Sequence, residues 1–202
     1  MPPVLDEDDG GHEDPHEDDQ PGKEVGGVHT TSLHRSAQAV YREPVEFFVY
    51  SMWAIVAVPP HEEPHVIISI RTPGAEPVAV RRGYKTRAIL FMAFPDLDEN
   101  YRALPPSAKR YNDGELFTPA QAKEILSFVN RHKDEIQSII VQCEGGMSRS
   151  AGVAAALSKI MNDDDARFFK GKTPNMLVYS TILREAFGPI AEGEEDPCKK
   201  TS

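Results

Sequence analysis

The sequence predicts an α/β domain in three layers, with a central, mostly parallel sheet flanked by helices. Three observations carry that expectation. Short apolar runs recur at 65–71, 87–94 and 138–141, the first of them rich in β-branched residues. Segments with apolar residues at helical spacing follow them, at 118–132 and 175–187. A glycine-bearing loop at 144–148 joins the last of these strands to an alanine-rich helix, at the C-terminal strand end where open α/β sheets bind ligands.

The folded part is expected to begin near Glu43. Residues 47–50 suggest a strand, and 51–58 are apolar without a period that decides between helix and strand, with Trp53 placed in the core. The run 65–71 reads as a buried strand stopped by Thr72-Pro73-Gly74, and 87–94 as a second strand ended by Pro95. Residues 97–117 are polar and irregular, with Pro105-Pro106 and Asn112-Asp113-Gly114 as turn signals. Thr118-Pro119-Ala120-Gln121 then supplies an N-cap, a proline at the first helical position and a capping-box glutamine. The helix it opens turns Ile125, Leu126, Phe128 and Val129 to the core. The strand 138–141 leads into Cys143, and 148–162 is a helix. The final helix buries Met176, Tyr179, Ile182, Leu183 and Ala186 and stops at Gly188.

Charge divides the chain into the domain at 43–190 and two tails, 1–42 and 191–202. The formal net charge is −10, and residues 1–24 alone carry ten acids and one lysine. A composition so acidic and poor in apolar anchors is expected to be disordered. Its run His12, Glu13, Asp14, His16, Glu17, Asp18 and Asp19 could chelate a divalent cation loosely, but a solvated tail is the simpler account. The domain itself is close to neutral, so no nucleic-acid partner is expected. Two cysteines, Cys143 and Cys198, make no disulfide framework and suit a reducing compartment. The longest apolar stretch, 47–58, is shorter than the roughly 20 residues of a membrane span, and the N-terminus is acidic where a secretory signal is basic. A cytoplasmic monomer without membrane contact is expected.

The loop carries the chemistry. Five residues separate Cys143 from Arg149, enough for the chain to curl so that successive N–H groups point into one concavity, a nest for an oxyanion. Gly145 and Gly146 permit tight turns, and an arginine closing the loop can grip two oxygens with its planar fork. The positive end of the following helix faces the same place. A thiol set among such groups is favoured as thiolate.

Cys143-Glu144-Gly145-Gly146-Met147-Ser148-Arg149-Ser150 resembles the signature Cys-x2-Gly-x2-Arg-Ser/Thr of the cysteine-dependent protein tyrosine and dual-specificity phosphatases, most closely a compact bacterial and phage branch. The resemblance extends over about 65–187, through Phe94-Pro95-Asp96, the Ser-Arg-Ser-Ala-Gly-Val run and Pro174-Asn175-Met176. It implies a dual-specificity-like fold and hydrolysis of phosphotyrosine, and of phosphoserine or phosphothreonine, without metal or cofactor. By the same resemblance Cys143 is the nucleophile, Glu144, Gly145, Gly146, Met147, Ser148 and Arg149 bind phosphate, and Ser150 donates to the leaving sulfur. Low-molecular-weight phosphatases and arsenate reductases carry their loop near the N-terminus, whereas this one opens the final third. The loop contains no lysine, unlike phosphoinositide phosphatases, so a phosphorylated protein side chain is the favoured substrate, with a small phosphomonoester the other partner expected.

The general acid is Asp96 by first choice, since Phe94-Pro95-Asp96 follows a strand as the family's mobile acid loop does. Asp98 is the close rival and Asp113 a third. Gln142 stands where the family usually has histidine and cannot carry charge. Hence a catalytically weak module that binds phosphorylated ligands is the alternative. Asn175 and Tyr179 are assigned to capping and packing. Arg81, Arg82, Lys85 and Arg87 form a basic patch, suited either to acidic substrate flanks or simply to solvent.

Overall fold

The structure is a computed structural model that describes residues 43–111 and 115–188. The expectations for both tails, including the acidic chelating run and Cys198, and for Asp113 lie outside these residues.

Strand β1, Glu46–Ser51, passes directly into the short helix α1, Met52–Ala57. The apolar run left undecided by its sequence divides at Ser51, whose hydroxyl accepts from Ala54 N at 3.1 Å and so caps the helix. Ile55 is the buried residue of α1. Trp53, two positions earlier and about 200° around the helix, is 74% exposed, which corrects its expected place in the core.

β2 (His65–Arg71), β3 (Thr86–Ala93) and β4 (Ser138–Cys143) complete the described sheet in the order β1-β4-β2-β3, and every pairing is parallel. β4 thus lies between β1 and β2, with Cys143 beside Ser51. Two short 3-10 turns, Glu99–Ala103 and Pro106–Ala108, occupy part of the irregular stretch.

Side chains alternate across the sheet as the period of two requires. Val66, Ile68, Ile70, Ile139 and Val141 share one core with α2 (Pro119–His132), α3 (Arg149–Asn162) and α4 (Met176–Phe187). Ile67 and Ile140 face the other way, onto Ile55, Val78 and Val80. The second outer layer is therefore one short helix and an extended segment. α2 opens with the expected capping box, and Gln121 Nε2 also donates to Ala93 O at 3.1 Å, tying the helix to the end of β3.

α3 is buried from Arg149 through Ser158. Its alanines let it lie close between sheet and α4, and at Gly152 even a Cβ is excluded, since it would stand 2.7 Å from Asn175 O. In α4, Leu177, Val178, Tyr179, Thr181 and Ile182 are buried while Met176 and Ala186 are exposed. The buried stripe begins one residue later than the sequence suggests, because Met176 occupies the first turn at the rim of the loop.

Candidate active site

β4 delivers Cys143 and α3 begins at Arg149, so residues 144–148 span the C-terminal edge of the sheet. The thiol is 1% exposed. Gly146 N donates to its sulfur at 3.3 Å, and Ser150 Oγ lies 3.0 Å away. Of these two contacts the Gly146 N–H donates to the sulfur, and in the other either the Ser150 hydroxyl or the thiol can donate. The two glycines are not equivalent. Gly146 has φ +68° and its missing Cβ would fall 2.6 Å from Ser51 N, whereas Gly145 has open space on all sides.

Arg149 is 3% exposed, and a cation so buried needs acceptors around it. One terminal nitrogen donates to Phe94 O at 3.0 Å and to Thr72 Oγ1 at 3.2 Å. The other pairs with the Glu144 carboxylate, which itself accepts from Thr72 N and Thr72 Oγ1, each at 3.1 Å. Arg149 Nε is left without a hydrogen-bond partner, 3.7 Å from Asp96 Oδ2. An orphaned N–H on a buried guanidinium is free to take an oxyanion.

Asp96 reaches this place from the loop after β3, anchored by the buried Phe94 and Pro95. Its Oδ1 accepts from Ser148 Oγ at 2.6 Å and from Asn175 Nδ2 at 3.0 Å. Asp98 is directed elsewhere, accepting from Asn100 N at 3.0 Å and Asn100 Nδ2 at 3.1 Å as the cap of a 3-10 turn. Of the two carboxylates, the structure brings Asp96 to the thiol loop.

Gln142 is fully buried and, by alternation with Val141 and Cys143, projects to the α1 face of the sheet. Its Nε2 donates to Ser69 Oγ at 2.6 Å, and its Oε1 has no partner. It therefore pins β4 to β2 just below the loop.

Three residues at the site were not singled out for it by sequence. Thr72 reads as a turn residue, yet it orders Glu144 and Arg149. Lys172 donates to Gly146 O at 2.9 Å, so the lysine-free loop has a cation behind it from a neighbouring segment. Asn175, expected only as a cap, also reaches the acid loop. By contrast the patch at Arg81, Arg82, Lys85 and Arg87 lies around the start of β3, at the end of the parallel sheet opposite Cys143, and is not placed to meet substrate at the thiol.

A groove of about 600 Å³ lies between α2, α3 and Glu43–Val45, lined by Leu126, Val129, Leu157, Ile160 and Met161. Its lining also includes Ser127 and Lys133 but none of the residues 143–150. Among the described residues, no group of three or more His, Cys, Asp or Glu side chains is placed to hold a metal ion. No helix among them is long and apolar enough to cross a membrane.

No protein-family model matches the chain, and no curated protein matches it in sequence. Among solved structures it is similar to one described as the crystal structure of Tk-PTP in the active form, with 14% identity and a TM-score of 0.34, over 74% of this chain and 84% of that one. A likeness so remote says nothing of this chain's chemistry, which rests on the geometry around Cys143 and Arg149.

Proposed function

We propose that the protein is a phosphatase that hydrolyses phosphate monoesters of protein side chains, phosphotyrosine foremost, through a cysteinyl-phosphate at Cys143. The observation that carries this is the unpartnered Nε of buried Arg149, held beside a buried thiol that already receives a loop amide.

Phosphate oxygens would take the Arg149 Nε–H and the loop amides, which positions phosphorus over the sulfur and stabilises its charge in transfer. Cys143 sulfur then attacks phosphorus in line, the bond to the ester oxygen breaks, and that oxygen takes the proton of the Asp96 carboxyl. In the second step Asp96 receives a proton from water as its oxygen attacks phosphorus, the S–P bond breaks, and inorganic phosphate leaves. The Ser150 hydroxyl, 3.0 Å from the sulfur, stabilises the departing thiolate.

A module that binds phosphorylated ligands without turnover is the second account. It is favoured by the Glu144 carboxylate on Arg149, which offsets part of the charge available to phosphate. Turnover of p-nitrophenyl phosphate, abolished in Cys143→Ser and blocked by vanadate, is the expected result. Phosphopeptide binding with no turnover of any ester would overturn the phosphatase assignment in favour of the module.

A further inference from the structure

We infer that Asn175 is a positioning residue that holds the acid loop over the thiol loop, a role that rests on the phosphatase assignment and goes beyond capping. Both ends of its carboxamide are committed. Oδ1 accepts from Val178 N at 3.1 Å and caps α4. Nδ2 donates to Asp96 Oδ1 at 3.0 Å and to Leu97 O at 3.1 Å, gripping side chain and main chain of the acid loop together. The amide cannot be turned over, since that would set its carbonyl oxygen against a carboxylate.

The backbone of Asn175 is equally fixed. Its N–H donates to Ser148 O at 3.1 Å, and the preceding Thr173 N donates to Met147 O at 3.2 Å. Gly152 leaves room for this approach, because any Cβ there would strike Asn175 O and N. One residue, 5% exposed, thus joins the acid loop, the thiol loop, α3 and α4. With Asn175 and Ser148 both on Oδ1, Asp96 Oδ2 is the oxygen left to carry the transferable proton, and it is the one nearer Arg149 Nε.

Asn175→Ser separates the two roles, because serine caps a helix as well as asparagine does but is too short to reach Asp96 and Leu97. Misplacing an acid that contributes roughly 10²–10⁴-fold should lower kcat on phenyl phosphate about tenfold or more, with KM changed less than about threefold. With 2,4-dinitrophenyl phosphate, whose leaving group needs no proton, kcat/KM, which reports only the first step, should stay within about twofold. The melting temperature should fall less than in Asn175→Ala, which loses the cap as well and should slow phenyl phosphate equally. In an Asp96→Asn background, Asn175→Ser should cost nothing further. Equal loss of kcat/KM with both esters, no loss with either, or full additivity with Asp96→Asn would overturn the role of Asn175 while leaving the phosphatase assignment standing. Absence of turnover in the unsubstituted protein would bring down that assignment and this inference with it.

Discussion

Replacing Gly146 by alanine should damage the loop far more than replacing its neighbour Gly145. At Gly146 the backbone has φ +68°, a conformation that costs an L residue about 1–2 kcal/mol. The added Cβ would also lie 2.6 Å from Ser51 N and 2.7 Å from Tyr50 C. Those main-chain atoms cannot easily retreat, because Tyr50 and Ser51 pair in register with Gln142 and Cys143. Overpacking against them adds roughly 1–3 kcal/mol, which brings the total to about 2–5 kcal/mol. In a domain of this size that is a fall in Tm on the order of 5–15 °C. Gly145→Ala meets nothing within 4 Å and should stay within about 0.5 kcal/mol. Urea denaturation distinguishes the two as a lowered midpoint at constant slope for Gly146→Ala alone. Equal midpoints for both variants would refute the loop conformation on which the whole site depends.

Ser69→Ala should destabilise by about 1–3 kcal/mol, since it leaves the buried Gln142 amide without its acceptor; a midpoint unchanged in urea would contradict that pairing. Glu144→Gln removes the carboxylate from Arg149 and should tighten competitive inhibition by inorganic phosphate severalfold, while weaker inhibition would mean that Glu144 matters only for holding the guanidinium in place. His61 has its pKa lowered, first by burial and then by neighbouring His65. The unfolded chain therefore takes up this proton at a higher pH than the folded one, and stability should fall as pH drops through 6.5 until the folded group titrates too. The slope of stability against pH in that window should flatten in His61→Gln, with an unchanged slope refuting the linkage.

Where local chemistry decides structure, the sequence was legible. The β-branched run at His65–Arg71 and the capping box at Thr118 and Gln121 stand as expected, because strand burial and helix entry are set by residues close in the chain. The apolar run after Phe47 was not legible, since its division at Ser51 depends on β1 pairing with β4. Trp53 was misplaced for the same reason: which side of α1 meets the sheet follows from that junction and not from hydrophobicity. At the site, the Cys143 to Arg149 spacing pointed to the loop, but only part of what distinguishes Asp96 from Asp98 is local. Their separation comes from Asn175, 79 residues away, holding one, and from Asn100, two residues on, engaging the other. The contributions of Thr72 and Lys172 are likewise made by tertiary contact, so a turn residue and a linker lysine carry no signal of them.

Charge balance at the loop explains why an acid should stand where Asp96 does. The buried Arg149 guanidinium faces two carboxylates, Glu144 on one terminal nitrogen and Asp96 near Nε. A phosphate ester entering as a dianion beside an ionised Asp96 would set four negative charges, Glu144 included, against one guanidinium, while Lys172 donates to Gly146 O. In the proposed reaction the leaving oxygen takes its proton from Asp96, so the productive complex is one in which the ester binds beside the Asp96 carboxyl. The donors on Asp96 Oδ1 leave Oδ2 to hold it. On that proposal binding and proton delivery meet at one place, because Asp96 lies within reach of the guanidinium that would receive the phosphate.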